Sequence, residues 1–247
     1  MRDIWIVCKK DLKELLAARG GQRGFLLQMI ILIGAFGLFP LGQKEAWMEG
    51  TMPAIFFLMI PLFFASGVAT DSFAGERERK TLETLLATRL PDWAIFLGKV
   101  LTALIYAWVF TVLCIIVSLI GLNFVKDPPG LYLYPPLVFL VGLLGSALTG
   151  LLIAGLGCFV SLRAGSVREA QQMLVVPMWL LLMAVSFGLP ALGRALPEDM
   201  RQDLLRWLAA VDPVVIGVGL LSALPVVDAA LLILGVRRFR RTRLILD

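Results

Sequence analysis

The chain has 247 residues, 59% of them apolar and 17% charged, with a net charge of +5 and no histidine. Soluble domains hold about 45–50% apolar and roughly 25% charged residues, and here the apolar residues gather into uncharged runs of about 18 or more, the length that crosses a bilayer. This excludes an ordinary soluble domain, and the absence of histidine, the commonest general base and metal ligand, argues against an enzyme active site. The basic residues flank the apolar runs, so they read as charge facing a membrane leaflet and not as a nucleic-acid surface. Cys8, Cys114 and Cys158 form no CxxC pair, which gives no sign of a disulfide framework or of a metal site.

Residues 1–23 carry Arg2, Lys9, Lys10, Lys13, Arg19 and Arg23 without the pattern of a signal peptide. Ile4, Trp5, Cys8, Leu12, Leu15 and Leu16 share a helical face opposite Lys9, Lys10 and Lys13. The segment is expected to be an amphipathic helix lying in the membrane surface; the alternative is packing on protein. Six spans are expected in the remainder, residues 24–247, at about 24–42, 51–70, 94–122, 137–162, 173–192 and 214–236.

The first link holds Lys44, Glu45 and Trp47. Pro61 lies within the second span, where neighbouring helices can satisfy the freed carbonyl. A charged, helix-forming segment then runs from Asp71 to Leu90, with Glu76 and Lys80 spaced as a helical ion pair. Pro91 and Asp92 restart a helix, and Lys99 is placed to snorkel to the interface. After the third span, Asn123–Pro136 is a loop whose Tyr132 and Tyr134 would sit in an aromatic belt.

In the fourth span Gly142, Ser146, Gly150, Ala154 and Cys158 recur every four residues, a small-residue ridge for close helix packing, within the subunit or at a dimer seam. The fifth span follows a short polar link, Arg163–Gln172. Pro197, Glu198 and Asp199 open an amphipathic helix in which Met200, Leu204, Trp207, Leu208 and Val211 follow helical spacing. Asp228 is the one acid deep in a span, and therefore a candidate functional residue. The chain ends with Arg237, Arg238, Arg240, Arg241 and Arg243.

Of the 23 Lys and Arg residues, 18 fall in the N-terminal segment, the second link with Lys99, the fourth link and the tail. That asymmetry puts both termini in the cytoplasm, consistent with six crossings. The 71–90 segment is then cytoplasmic, and its mixed charges with an apolar edge of Leu82, Leu85 and Leu86 suit docking into a groove on a partner protein.

The stretch from Phe73 to Val100 strongly resembles the cytoplasmic loop of ABC-2 type permeases, the membrane subunits of ABC exporters, in the sodium- and multidrug-efflux branch. The resemblance rests on Gly75-Glu76-Arg77-Glu78, on Thr81, Leu82, Glu83, Leu85 and Leu86, on the break at Pro91, and on Gly98-Lys99. The overall layout and the basic tail are also similar.

It implies an all-α membrane protein: six transmembrane helices, an N-terminal interfacial helix, a cytoplasmic coupling helix after span two and an amphipathic helix between spans five and six. It also implies an exporter permease of the inner (plasma) membrane, dimeric and most simply a homodimer, with the substrate path between the copies. A separate ATP-binding subunit, carrying ATP and Mg, would be contacted by Gly75, Glu76, Arg77, Glu78, Arg79, Thr81, Leu82, Glu83, Leu85 and Leu86.

No catalytic residue, metal or cofactor is expected in the chain itself. Its one Lys-Thr pair, Lys80-Thr81, has Ala74 where a phosphate-binding loop needs glycine. Rival readings are a secondary transporter, which calls for intramembrane charge chains and inverted repeats, and a scaffold that anchors an enzyme complex through 71–90.

Overall fold

The computed structural model describes residues 2–18, 21–43, 47–48, 52–125, 131–188, 191, 193, 197–202 and 213–239. The tail arginines 240, 241 and 243, the loop residues Pro128–Gly130, and Leu204, Trp207, Leu208 and Val211 lie outside the described residues. The described part is helical: α1 Arg2–Ala18, α2 Gly21–Leu38 with a 3-10 turn Phe39–Gln43, α3 Met52–Glu78, α4 Leu82–Leu86, α5 Asp92–Val125, α6 Pro136–Ser161, α7 Val167–Met183 and α8 Pro213–Arg238. A π turn, Ala184–Gly188, extends α7, and residues 198–202 are helical, with an ion pair between Arg201 and Glu198.

Among the described residues four helices are long and apolar enough to cross a membrane: Met52–Glu78, Asp92–Val125, Pro136–Ser161 and Val167–Gly188. At about 1.5 Å per residue, the 27 residues of α3 reach roughly 40 Å, beyond the ~30 Å hydrocarbon layer. The helix of the second expected span therefore does not stop at Thr70, and its last two turns continue past it to Glu78.

Small residues set the packing. A Cβ at Gly142 would come within 2.8 Å of the Phe57 ring, Gly150 lies against Pro61 and Leu104, and Gly157 against Ala69. The ridge on α6 thus faces α3 within one chain. Contacts climb in step along α3 and α6, so these helices run parallel. Gly145 and Gly155 meet Leu221 and Leu231, making α8 parallel to both. By contrast, Trp108 donates to the Leu143 carbonyl (3.2 Å) while Leu104 meets Gly150, so α5 runs against α6. Gly37 and Gly121, against Val117 and Leu41, set α2 parallel to α5. Helix α7 opposes α3, with Trp179 near Phe63 and Leu174 near the Gly157–Ala69 contact. Successive long helices therefore alternate in direction.

One sequence expectation is filled in here and another changes. Helix α1 packs on the start of α5 through Val7 and Cys8, both buried. Gly98 permits this contact, since a Cβ there would come within 2.7 Å of the Val7 Cβ. Trp5, on the apolar face expected to meet the membrane surface, is exposed. Tyr132 and Tyr134 are buried and not in an aromatic belt: their rings meet edge to face at 5.5 Å, and Tyr134 meets Phe57 in the same way.

Candidate functional site

The projecting end of α3 is closed by a left-handed residue. Lys80 has φ 57°, the Lys80 N–H donates to the Arg77 carbonyl (3.1 Å), and the Thr81 N–H donates to the Glu76 carbonyl (2.9 Å). This crossed pair is a Schellman C-cap, with lysine where glycine is usual. The chain turns sharply there into the five-residue α4, and after Pro91 into α5. The helix-forming segment expected over 71–90 is thus an elbow, made of a rod, a cap and one turn and a half of helix. The expected Glu76–Lys80 pair does not form, because Lys80 has already left the helix.

Glu76 points inward instead, and is 3% exposed. Its Oε1 lies 3.4 Å from Lys99 Nζ and 3.4 Å from Lys10 Nζ, and its other oxygen accepts from the Thr81 hydroxyl. Lys99 Nζ is also 3.3 Å from Asp11 and 5.4 Å from the centroid of Phe73. Lys99 is 3% exposed, so it is buried in an ion network and does not snorkel. Phe73 in turn packs with Phe96 and Phe239 at 6.4 and 5.2 Å, tying the base of α8 to the same spot.

The buried Glu76 and half-buried Asp11 carboxylates nearly balance the buried Lys99 and the exposed Lys10. That balance matters, because a buried charge without its partner costs several kcal/mol. Burial disfavours the Lys10 ammonium, but Glu76, Asp11 and Glu14 outweigh it and hold its pKa above the usual value. Burial likewise pushes the Asp11 carboxyl up, against the pull of Lys99 and Lys10. The carboxylates of Asp11, Glu14 and Glu76 lie within 4.8 Å of one another, a spacing a metal could use. Lys10 and Lys99 already supply the positive charge there.

The next two residues fasten the elbow to other helices. The Arg77 guanidinium donates to the carbonyls of Leu162 (3.2 Å) and Ala164, covering the end of α6. Glu78 accepts from the Val167 N–H at 2.8 Å, at the start of α7, where Ser166 also caps by accepting from the Glu169 N–H. A cation at one helix's C-terminus and an anion at another's N-terminus both oppose the local dipole. Ser161 adds a further tie, donating to the Thr70 carbonyl at 2.7 Å and accepting from the Phe73 and Ala74 amides. Gly75 is needed because the Asp71–Arg79 ion pair (3.3 Å) crosses directly over it.

The expected partner contacts therefore divide into two groups. Gly75, Glu76, Leu82, Leu85 and Leu86 are buried, and Arg77 and Glu78 are bonded to neighbouring helices. Arg79, Lys80, Thr81, Glu83, Thr84 and the stretch 87–89 form the exposed tip. Beneath them, between α1, α3, α4, α5 and α7, lies a cavity of about 1070 Å³ lined by Lys10, Asp11, Glu76, Lys99 and Leu85, among others.

Sequence reasoning missed Asp11 and Lys10. The signal was there in Val7, Asp11 and Leu15, an acid within an apolar stripe at helical spacing. Asp228, expected deep in a span, is 3% exposed, and neither carboxyl oxygen has a hydrogen-bond partner among the described residues.

A search of characterised proteins gives no significant match. A family model described as "ABC-2 family transporter protein" matches residues 38–232. The matched stretch holds Glu76, Lys99 and Asp228, and leaves α1 outside. The chain belongs to the ABC-2 transporter family, and is a multi-pass membrane permease of an ABC transporter that works with an ATP-binding partner.

Proposed function

We propose that this permease is the membrane half of an ABC exporter, of the sodium- and multidrug-efflux type, driven through the 71–90 elbow by a separate subunit that binds ATP and Mg. It crosses the inner (plasma) membrane six times with both termini in the cytoplasm. Two copies form the substrate path. The alternating directions of the long helices and the 18 of 23 basic residues on one side support that topology.

The observation that carries the reading is the division within the elbow. Its tip is exposed, while Glu76, Arg77 and Glu78 bind it from below to α1, α5, α6 and α7. A push on the tip then moves several helix ends together, and packed elements shift between discrete arrangements instead of deforming smoothly. Work is delivered only if the ATP-binding subunit holds the tip differently in its open and closed states.

The test separates tip from anchor. Permease with Glu83→Arg and Thr84→Arg is purified with its ATP-binding subunit. Binding and permease-stimulated ATP hydrolysis should fall at least tenfold, with the thermal midpoint of the permease unchanged. Normal ATPase stimulation by this variant would sink the coupling reading. Normal binding with no stimulation by wild-type permease either would favour the scaffold.

A further inference from the structure

Asp228 lies in the inward stripe of α8, formed by Leu221, Leu224, Asp228, Leu231 and Gly235, and is the only polar member of it. Leu231 and Gly235 pack on Gly155 of α6 and Phe96 of α5, so the stripe is pressed against protein and faces away from lipid. Both carboxyl oxygens are buried and have no hydrogen-bond partner among the described residues. The helices packed on α8 carry Asp92, Lys99, Tyr106 and Cys114 (α5) and Cys158 (α6), and none is hydrogen-bonded to Asp228. Lys99 is held by Asp11 and Glu76. On α8 itself the charges are Arg237 and Arg238, more than two turns away, with Arg238 over the Phe159 ring. Three residues before Asp228, Pro225 lacks an N–H and leaves the Leu221 carbonyl without its usual helical donor.

A carboxylate in such a place would be an uncompensated charge, which proteins avoid by neutralising the group. A metal ion would need several oxygen ligands around it, and the stripe offers one carboxyl. A proton needs neither ligands nor space. We propose that Asp228 is a proton-binding site of the transport cycle, neutral in the packed arrangement seen here and ionised when α8 separates from α5 and α6.

On separation, water enters and takes the proton from the carboxyl O–H, leaving a hydrated carboxylate. On reclosure the carboxylate takes a proton back before it is buried. The neutral state needs no assumption about transport. The exchange rests on the permease reading above.

The test is infrared spectroscopy of the full-length permease in lipid nanodiscs with its ATP-binding subunit. It reads the carbonyl stretch of a protonated carboxylic acid, which a carboxylate lacks. At neutral pH wild type should show one such band that Asp228→Asn lacks, and trapping with ATP and vanadate should remove it. Asp228→Glu with heavy-isotope aspartate gives a second reading, since the band should then lose its isotope shift.

A wild-type minus Asp228→Asn spectrum with carboxylate bands only, at neutral pH, would overturn the proton site. A protonated band that survives trapping, in a complex that hydrolyses ATP normally, would overturn the exchange. If no ATP-binding subunit associates with the chain, the coupling reading fails, and the ligand-free spectrum still decides whether Asp228 is neutral.

Discussion

Both ends of the helix bundle bury polar groups, and they do so in opposite ways. At the tyrosine end the groups are neutral. Trp47 donates to Tyr134 (3.1 Å), Tyr134 meets Ser118, and Asn123 clamps the backbone of Tyr132 through bonds of 2.9 and 2.7 Å. At the elbow end the groups are charged, and they border a cavity of about 1070 Å³. A neutral network seals and loses little when one member goes. A charged network binds separate elements tightly, because each member removed strands its opposite. The end proposed to couple to the ATP-binding subunit is the end that uses charge.

The comparison can be broken most severely at Lys99. Lys99→Met leaves buried Glu76 and half-buried Asp11 with only the exposed Lys10 as a nearby cation, a loss toward the low end of about 3–5 kcal/mol. The thermal midpoint should drop, and Cys8, fully buried on the side of α1 that packs on α5, should become reactive to maleimide. Arg77→Ala should cost less, about 1.5–3 kcal/mol, since it removes charged donors from two carbonyls at the end of α6 without stranding a buried charge.

At the opposite end Trp47→Phe removes one neutral hydrogen bond and keeps the aromatic packing. About 1 kcal/mol is expected, with Cys8 still protected. A larger loss than that of Arg77→Ala would erase the distinction between the ends. The smallest effect has the other sign. Lys80→Gly relieves a left-handed lysine at the cap and should stabilise by about 0.5–1 kcal/mol, measured as a rise in thermal midpoint.

Much of this was legible in the sequence, because membrane spans declare themselves by run length. Pro91 and Asp92 marked the start of α5, and the Gly-Glu-Arg-Glu motif pointed to the elbow. What could not be read was direction. Glu76, Arg77 and Glu78 look like surface charge in one dimension, and their partners Lys99, Leu162 and Val167 are fixed only by how α3, α5, α6 and α7 meet. Lys99 seven residues into α5 looks like a snorkelling residue until α1 covers it. Glycines 98 and 157 read as generic small residues, yet each is where another helix comes closest. Helix continuity could not be read either, since α3 runs without a break from the apolar span into the charged helix-forming segment.

The most direct test of the whole account is the sidedness of the elbow tip. Thr84→Cys places a thiol on the exposed tip, against a background of three native cysteines that are all buried. A membrane-impermeant maleimide should leave it unlabelled in intact cells and label it fully once the membrane is permeabilised. Labelling at Thr84→Cys in intact cells would put the elbow on the wrong side of the membrane for any ATP-driven partner.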